Sequence, residues 1–503
     1  MTDKKMHINR RQFIDATAIA AAVTVVPHHV IGRPNQVAPG NKINIGYVGC
    51  GTQGIRQLMP ALERSDVRIV AVCDPNRGSD DYPEWSEQEL NNKVRKFLDD
   101  PDWAKGARGG LCGREVVQEI VNRHYGKQKR SRKSSDCRAY ADFREMLEKE
   151  KDLDAVYIMT PDHLHGTVAI HAMRQHKHVI VHKPIANVLY ETRLARDTAR
   201  ETGVATHLFC SAGQTSTPTL CEWIWGGAIG PIREVHNWSK RPVWPQGMTE
   251  RPSDTPPVPD GLDWDLWLGP VPHRPYHPAY THAVFRGWYD FGTGALGDMG
   301  HYSFYQIFRI LKLGIPLSVE ASRSQYWSIR DYAWRKEINT VSFPRASVIH
   351  WQFPAREDMP PVTLHWYDGG IRPPIPEELE ADGEPMPEEG LLFVGDQGKI
   401  LADFMGDKPR LIPKARMSAF SPPPETLPRP IGEFDQWLRA CKGGQASDAS
   451  FENVYPFAET ILLGLVALRI DKKLTWDSEK MEFPGEEEAN RLLYREYREG
   501  WEL

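Results

Sequence analysis

At 503 residues the chain exceeds what one hydrophobic core usually supports, so two domains are expected. A net charge of −5 supplies no large basic field, which argues against nucleic acid as the main partner. Seven cysteines, at 50, 73, 112, 137, 210, 221 and 441, are scattered without C-x-x-C spacing and several fall in predicted strands, so buried thiols are expected in place of a zinc site or disulfide framework.

Near the N-terminus, Asn9-Arg10-Arg11-Gln12-Phe13-Ile14 precedes an apolar run from Ala16 to Val26. The run is too short to cross a bilayer stably but suits a signal h-region, and the pair of arginines before it resembles a twin-arginine export signal. Residues 1–40 are therefore read as signal and linker. Export to the periplasm or cell envelope is expected, with no other membrane association.

Lys42-Ile-Asn-Ile-Gly-Tyr-Val48 reads as a short apolar strand running into Gly49-Cys50-Gly51-Thr52-Gln53-Gly54. This is a dinucleotide-binding fingerprint. Gly49 permits a tight turn, Gly51 lets the backbone approach a pyrophosphate, and Gly54 lets the next helix pack close to the strand, its N-terminus facing the phosphates. A helix is predicted over Ile55 to Arg64 and a second strand over Arg68 to Cys73. That strand ends in Asp74, placed where a ribose-binding carboxylate belongs. Asp74 favours NAD; Arg77 leaves room for NADP.

Between Asp74 and Asp152 the chain is longer than a crossover needs, which marks an insertion over about 77–126. Helical spacing covers Trp85 to Phe97 and Gly113 to His124, separated by a glycine-rich turn at Gly106 to Gly113. Lys127 to Lys133 is a basic run, read as a solvated loop. A helix over Tyr140 to Glu150 then leads to a strand over Leu153 to Met159.

That strand ends in Thr160-Pro161-Asp162-His163-Leu164-His165, and the next, His178 to Val181, ends in His182-Lys183-Pro184. Both segments fall at the carboxyl ends of parallel strands, where open α/β sheets bind ligands. Lys183 is a candidate catalytic group, since burial beside a positively charged nicotinamide would lower its pKa. Thr160, Pro161, His163 and His165 are read as facing the cofactor. An H-x-H metal pair is the lesser reading for the two histidines, because no Asp, Glu or Cys spacing accompanies them.

From Lys42 onward the chain resembles the glucose-fructose oxidoreductase/inositol dehydrogenase/rhizopine-catabolism (Gfo/Idh/MocA) family. The glycine fingerprint, the Thr160–His165 loop and the His182-Lys183-Pro184 motif carry the resemblance, the family's Glu-Lys-Pro having its first residue replaced by His182. The resemblance implies an α/β protein: an N-terminal Rossmann domain with a doubly wound parallel sheet, and a C-terminal α/β domain with an open, mostly antiparallel sheet. The second domain would carry the substrate site and the contact of a homo-oligomer. On this reading residues 41–212 form the NAD(P)-binding domain and 213–503 the second.

The second part fits that division. After a strand over Val204 to Ser211, short β-like runs follow at Ile232–Ser239, Ser347–Phe353, Val362–Tyr367, Leu391–Val394 and Ile400–Phe404, the last two joined by a turn at Gly395–Gly398. Proline-rich stretches at 251–259, 372–387 and 422–430 are expected as irregular loops. Helices over Ile431–Cys441 and Phe457–Ile470 precede an exposed, charged helical tail ending near Trp501.

Two segments put indoles beside charged groups, as carbohydrate binding would: Arg241 with Trp244, and Asp263 with Trp264 and Trp267. Gly292 to Tyr302 resembles the family's second catalytic segment, an Asp followed four residues later by a His. Here Asp298 is followed by His301 at three and Tyr302 at four, and either offset shares its helix face. One of His301, Tyr302 or Lys183 is expected to take the hydroxyl proton of a carbohydrate substrate while hydride passes to NAD, with Asp298 orienting the base. Three functions are compatible with this site: a sugar, cyclitol or glycoside oxidoreductase, an NAD-dependent redox-assisted glycoside hydrolase or lyase, and, less favoured, a non-catalytic sugar-binding protein.

Overall fold

The computed structural model describes residues 42–128 and 136–503. The export segment and the basic run from residue 129 onward lie outside the described residues.

The N-terminal half alternates strand and helix. β1 (Ile43–Val48) and α1 (Thr52–Leu62) are followed by β2 (Val67–Cys73) and then by the insertion, in which β3 (Ser79–Tyr82), α2 (Glu89–Leu98), β4 (Gly110–Cys112) and α3 (Arg114–Gln128) appear in turn. β5 (Arg138–Tyr140), α4 (Phe143–Lys149), β6 (Ala155–Ile158), α5 (Asp162–Arg174), β7 (His178–His182), α6 (Leu189–Thr202) and β8 (Thr206–Phe209) complete it. The main sheet runs β5-β2-β1-β6-β7-β8 with every pair parallel. Strand β6, buried at all four positions, shows why the sequence reads as a continuous apolar run: helices cover both faces.

The insertion departs from expectation in two places. Its first helix begins at Glu89, leaving Trp85 in a loop at 62% exposure, and the glycine-rich turn contains strand β4, which pairs with β3 as an antiparallel ribbon. Period alone misplaced the helix start because Trp85 lies on the helical phase without a core to face. The ribbon lies over the fingerprint: a Cβ on Gly51 would meet the Tyr82 ring at 3.3 Å.

The second half opens with α7 (Ser216–Trp225), β9 (Ile232–Trp238), α8 (Trp264–Leu268) and the long α9 (Gly294–Leu311). β10 (Ser318–Arg323), β11 (Tyr326–Arg330), β12 (Ala333–Glu337), β13 (Ser347–Phe353), β14 (Val362–Tyr367), α10 (Glu377–Ala381), β15 (Gly390–Gly395), β16 (Gly398–Ala402) and β17 (Arg410–Ile412) follow. The chain ends through α11 (Lys414–Ala419), α12 (Glu433–Cys441), α13 (Phe451–Ala467), β18 (Leu474–Thr475) and α14 (Glu487–Arg491). An eight-stranded sheet is ordered β17-β16-β15-β9-β14-β13-β10-β18, and only β14 with β9 is parallel. Helices α9 and α13 cover one face, where Phe304, Trp351, Trp366 and Ile461 share a core. Helix α12 returns to the first sheet: Trp437 and Leu438 pack in its core, and the Glu433 carboxylate accepts from the Cys210 and Ala212 amides.

Two further expectations are corrected. The 372–387 stretch contains α10, ordered because Leu379 and Met386 are buried against Trp238 and Tyr367. The tail is only partly exposed and is not helical past Arg491. Trp501 is 5% exposed beneath the Arg144 guanidinium, Tyr497 donates to Glu191 at 3.0 Å, and Arg495 pairs with the same buried carboxylate at 2.9 Å, so contacts with the body of the protein hold the tail in place of a solvated helix. All seven cysteines are free thiols, six of them buried. Among the described residues no helix is long and apolar enough to cross a membrane.

Candidate active site

The glycine turn has the shape its sequence demands. Gly49 has φ +104°, and a Cβ there would lie 2.3 Å from the Met159 carbonyl carbon, so no other residue fits between β1 and the end of β6. A Cβ on Gly54 would meet the Gly49 carbonyl oxygen at 2.3 Å, which sets how closely α1 approaches. Gly51 is the N-cap of α1 and no side chain caps that helix, so its first-turn amides from Thr52 and Gln53 onward are left for an incoming anion. Thr160 stands beside this turn with a buried hydroxyl that has no partner. An uncapped helix start and an orphaned hydroxyl at the ends of adjacent strands fit a dinucleotide.

Asp74 sits at the end of β2, but its carboxylate first holds the protein together. One oxygen accepts from the Cys50 amide at 2.7 Å and the other from the Asn76 amide at 2.8 Å, fixing the turn from below. Burial nonetheless raises its pKa, against those two hydrogen bonds. The backbone amide of Arg77 donates to the Gly261 carbonyl at 2.8 Å, tying the end of this turn to the second half of the chain.

His163 and His165 do not face an open cleft, which corrects the sequence reading. Both lie in the first turn of α5 and are buried. His163 Nε2 lies 2.9 Å from the Trp267 carbonyl, and burial brings its pKa down to about 3. His165 stands between the carbonyls of Pro184 (2.6 Å) and Thr160 (2.7 Å), so it ties together the loops that follow β6 and β7. Pro161 is the N-cap of α5. The neighbouring Asp162 accepts from Thr293 at 2.6 Å and anchors the start of α9.

Lys183, at the end of β7, is 3% exposed and donates from Nζ to Asp298 on α9. Arg286 donates from Nε to the same carboxylate oxygen at 3.1 Å. Burial alone would raise the pKa of Asp298, but the two cations, Lys183 first, hold it well below the usual carboxylate range. For Lys183 burial is the larger effect: it lowers the pKa, Asp298 opposes and Arg286 assists. The result is a permanently ionised carboxylate holding a lysine that gives up its proton more readily than an exposed one. Arg286 has no signal in the sequence; a 3-10 turn at Val284–Gly287, twelve residues before Asp298, delivers it.

The two candidates on α9 separate cleanly. Tyr302 faces Lys183, whose Nζ lies 5.3 Å from the ring centroid, and its hydroxyl is 3.4 Å from His182 Nε2. Burial, reinforced by Asp298, pushes that phenol well above its ordinary pKa, so it serves as a proton donor and not as a base. His301 turns the other way: Nδ1 lies 2.7 Å from Gly297 O, the ring packs edge-on to Phe457, and burial brings its pKa down to about 3. Replacing Tyr302 with Phe removes the buried contact with His182 and is therefore expected to lower the melting temperature by a few degrees, with a loss of no more than about tenfold in kcat/KM. His301→Asn is expected to lower the melting temperature while leaving kcat/KM of the folded enzyme unchanged.

His182 replaces the motif glutamate and is buried, stacked on Phe209 at 5.6 Å, its pKa held well below the ordinary imidazole value by burial and by Lys183. A neutral ring accepts from Tyr302; a carboxylate there would face Asp298 as a second negative charge.

Of the segments read as carbohydrate-binding, one reaches the site. Arg241 contributes to the field that keeps Asp298 ionised, and its guanidinium lies 5.2 Å from the ring centroid of Trp85, which the insertion supplies. Trp244 lies 6.0 Å from the Arg286 guanidinium and donates to Gln246 at 3.0 Å. The other segment does not. Trp264 and Trp267 are buried in an aromatic cluster with Tyr276, Tyr280, Trp288 and Phe291, and Asp263 caps α8 by accepting from the Leu266 amide. The two indoles pack a loop-rich wall while Asp263 stays exposed at the start of α8, which corrects the assignment of Trp264 and Trp267 to substrate.

Residues 233–340 and 377–503 match the family profile described as "Oxidoreductase family, C-terminal alpha/beta domain", and residues 101–209 match "Oxidoreductase family, NAD-binding Rossmann fold". The chain is 30% identical over 117 residues to dTDP-3,4-didehydro-2,6-dideoxy-alpha-D-glucose 3-reductase of Streptomyces violaceoruber, covering 23% of this chain and 34% of that protein. It is 30% identical over 111 residues to levoglucosan dehydrogenase of Pseudarthrobacter phenanthrenivorans, covering 21% and 28%. The matches thus span about a third of the length of these curated relatives. Among solved structures, the WlbA dehydrogenase of Bordetella pertussis, in complex with NADH and UDP-GlcNAcA, shares the fold at a TM-score of 0.52 and 13% identity, over 87% of this chain and 99% of that one.

Proposed function

This chain belongs to the Gfo/Idh/MocA oxidoreductase family, and from that premise we propose that it oxidises a secondary hydroxyl of a sugar, cyclitol or glycoside with an NAD that stays bound through turnover. One observation carries the reading: the Lys183–Asp298–Arg286 cluster stands at the carboxyl end of β7, two strands along the sheet from the glycine turn that follows β1. The names of the two curated relatives support a sugar substrate.

When bound, NAD supplies the hydride acceptor. The N-terminus of α1, Gly51 and Thr160 would hold it, with Asp74 shaping the turn. Lys183 accepts the substrate hydroxyl proton at Nζ, which requires its neutral form, and burial and Arg286 favour that form. Asp298 fixes the lysine's direction and stabilises the ammonium that results. Tyr302 donates towards His182, keeping the ring wall in place. Arg241, Trp244 and the exposed Trp85 form the polar and aromatic rim over which a carbohydrate would lie.

Export is part of the proposal, supported by Arg10-Arg11 ahead of the Ala16–Val26 run. Outside the cytoplasm there is no NAD pool to draw on, so the cofactor has to be regenerated where it sits, by a second sugar or by return of the hydride within one catalytic cycle. Extensively dialysed protein, once denatured, is expected to release near-stoichiometric NAD(H). An empty protein that binds NAD reversibly would overturn the closed cycle. Incubation with sugars and glycosides, no cofactor added, then separates the chemistries: a keto-sugar supports oxidation, whereas a released aglycone would replace it with redox-assisted cleavage.

A further inference from the structure

We propose that Glu234, His236 and His365 form a binding site for a divalent transition-metal ion, on the face of the second sheet opposite α9 and α13. Their neighbours establish the face. Val235 and Asn237 of β9, and Leu364 and Trp366 of β14, point to the helical side, where Asn237 accepts from Ser303 of α9. The alternate positions, Glu234 and His236 on β9 and His365 on β14, therefore lie on the other side. Pairing puts His365 level with His236, and His350 of β13 level with His365.

Three ligand atoms converge there. Glu234 Oε2 lies 3.3 Å from His236 Nε2 and 3.5 Å from His365 Nε2, and the three atoms fall within 4.8 Å of one another. Tetrahedral ligands at about 2.0–2.1 Å from a zinc-like ion stand about 3.4 Å apart, so the two distances to the carboxylate match a shared ion. His365 Nε2 is buried and makes no well-aligned hydrogen bond, its facing group being the Glu234 carboxylate at 3.5 Å. The far nitrogens are already engaged: His236 Nδ1 with the Tyr367 hydroxyl at 3.0 Å and His365 Nδ1 with His350 Nδ1 at 2.6 Å. When each Nδ1 carries the proton and donates outward, both Nε2 atoms present lone pairs to the carboxylate, the arrangement in which outer hydrogen bonds orient metal-binding imidazoles. The rings are stacked 4.6 Å apart at 10°, so binding requires them to turn about Cβ–Cγ until the lone pairs meet. Two imidazoles and one carboxylate suit zinc, cobalt(II) or iron(II), and leave a further position to water or a ligand. An ion here would join β9 to β14, the one parallel pair of this sheet.

The test uses the full chain without an affinity tag, stripped with chelator and titrated with Co(II) while its visible d–d absorption is followed. One equivalent is expected to bind with a four- or five-coordinate spectrum, and Zn(II) should displace it. His236→Gln and His365→Gln are each expected to weaken binding by at least about 100-fold, more than an outer-shell change would. Metal-free melting and proposed sugar oxidation should stay at wild-type levels, since the site lies across the sheet from Asp298. Glu234→Gln, at an exposed residue that cannot compromise folding, should shift the spectrum and weaken binding. Wild-type protein that binds Co(II) no more tightly than the double histidine variant, or a spectrum unmoved by Glu234→Gln, would overturn the proposal.

Discussion

Lys183→Met is expected to lower kcat/KM by about three to four orders of magnitude while leaving the bound NAD content unchanged. The size follows from the two roles the side chain has at once. It is the proton acceptor, worth about 10²–10⁴ in rate. It is also the main partner that keeps Asp298 ionised, and methionine leaves that carboxylate with the Arg286 hydrogen bond and the more distant Arg241. Methionine matches the lysine stem in length, so packing at a position 3% exposed is retained, and the buried ammonium that needed a partner is gone. The pH profile gives the sign. Because burial puts the Lys183 pKa below the ordinary lysine value, wild-type kcat/KM should rise with pH along a limb displaced downward from that value, and the limb should vanish in the variant. Unchanged turnover, or a limb that persists, would remove Lys183 from the chemistry.

The first sheet was readable because both of its faces are covered, so its strands appear as uninterrupted apolar runs and the ligand-bearing turns fall at predictable ends. The second sheet was readable only where one face is packed. β13 and β14 alternate cleanly, whereas β11 and β12 carry Trp327, Ile329 and Trp334 exposed among charges and give no periodic signal. Lys183 and Asp298 were legible as motif residues. Arg286, His182 as an uncharged acceptor, and Trp85 were not, since each gains its role from a contact with a distant segment: twelve residues for Arg286 with Asp298, and a different domain for Trp85 with Arg241. Trp264 and Trp267 misled in the opposite sense, because an indole beside a carboxylate reads the same whether it lines a cleft or fills a core. Choosing between His301 and Tyr302 needed the neighbour: Phe457 of α13 takes one face of α9 and Lys183 the other.

Gly49→Ala is expected to cost the N-terminal half about 2–5 kcal/mol and to abolish retention of the nucleotide. Two effects combine. A left-handed φ of +104° strains an alanine by about 1–3 kcal/mol, and a methyl 2.3 Å from the Met159 carbonyl carbon overpacks a backbone contact by a similar amount. That contact cannot be relieved locally, because the Met159 amide donates to Val48 at 2.6 Å and the Gly49 amide to Cys73 at 2.8 Å; moving the turn parts β1 from both neighbours. Gly106→Ala supplies the strain without the clash: φ is +83° and nothing lies within 4 Å of the new methyl, so a smaller loss of stability with full NAD content is expected. Gly51→Ala supplies the opposite case. Its φ of −80° suits alanine and its methyl meets only the Tyr82 ring edge at 3.3 Å, so thermal unfolding should change by less than about 1 kcal/mol, while the methyl stands where a pyrophosphate must approach the α1 amides. Thermal melts and released NAD(H), measured on the three variants, therefore separate folding from cofactor contact. Full nucleotide content in Gly51→Ala would mean that the phosphates do not pass over this turn, and the assignment of the α1 N-terminus as their anchor would fail even though the strand order survives.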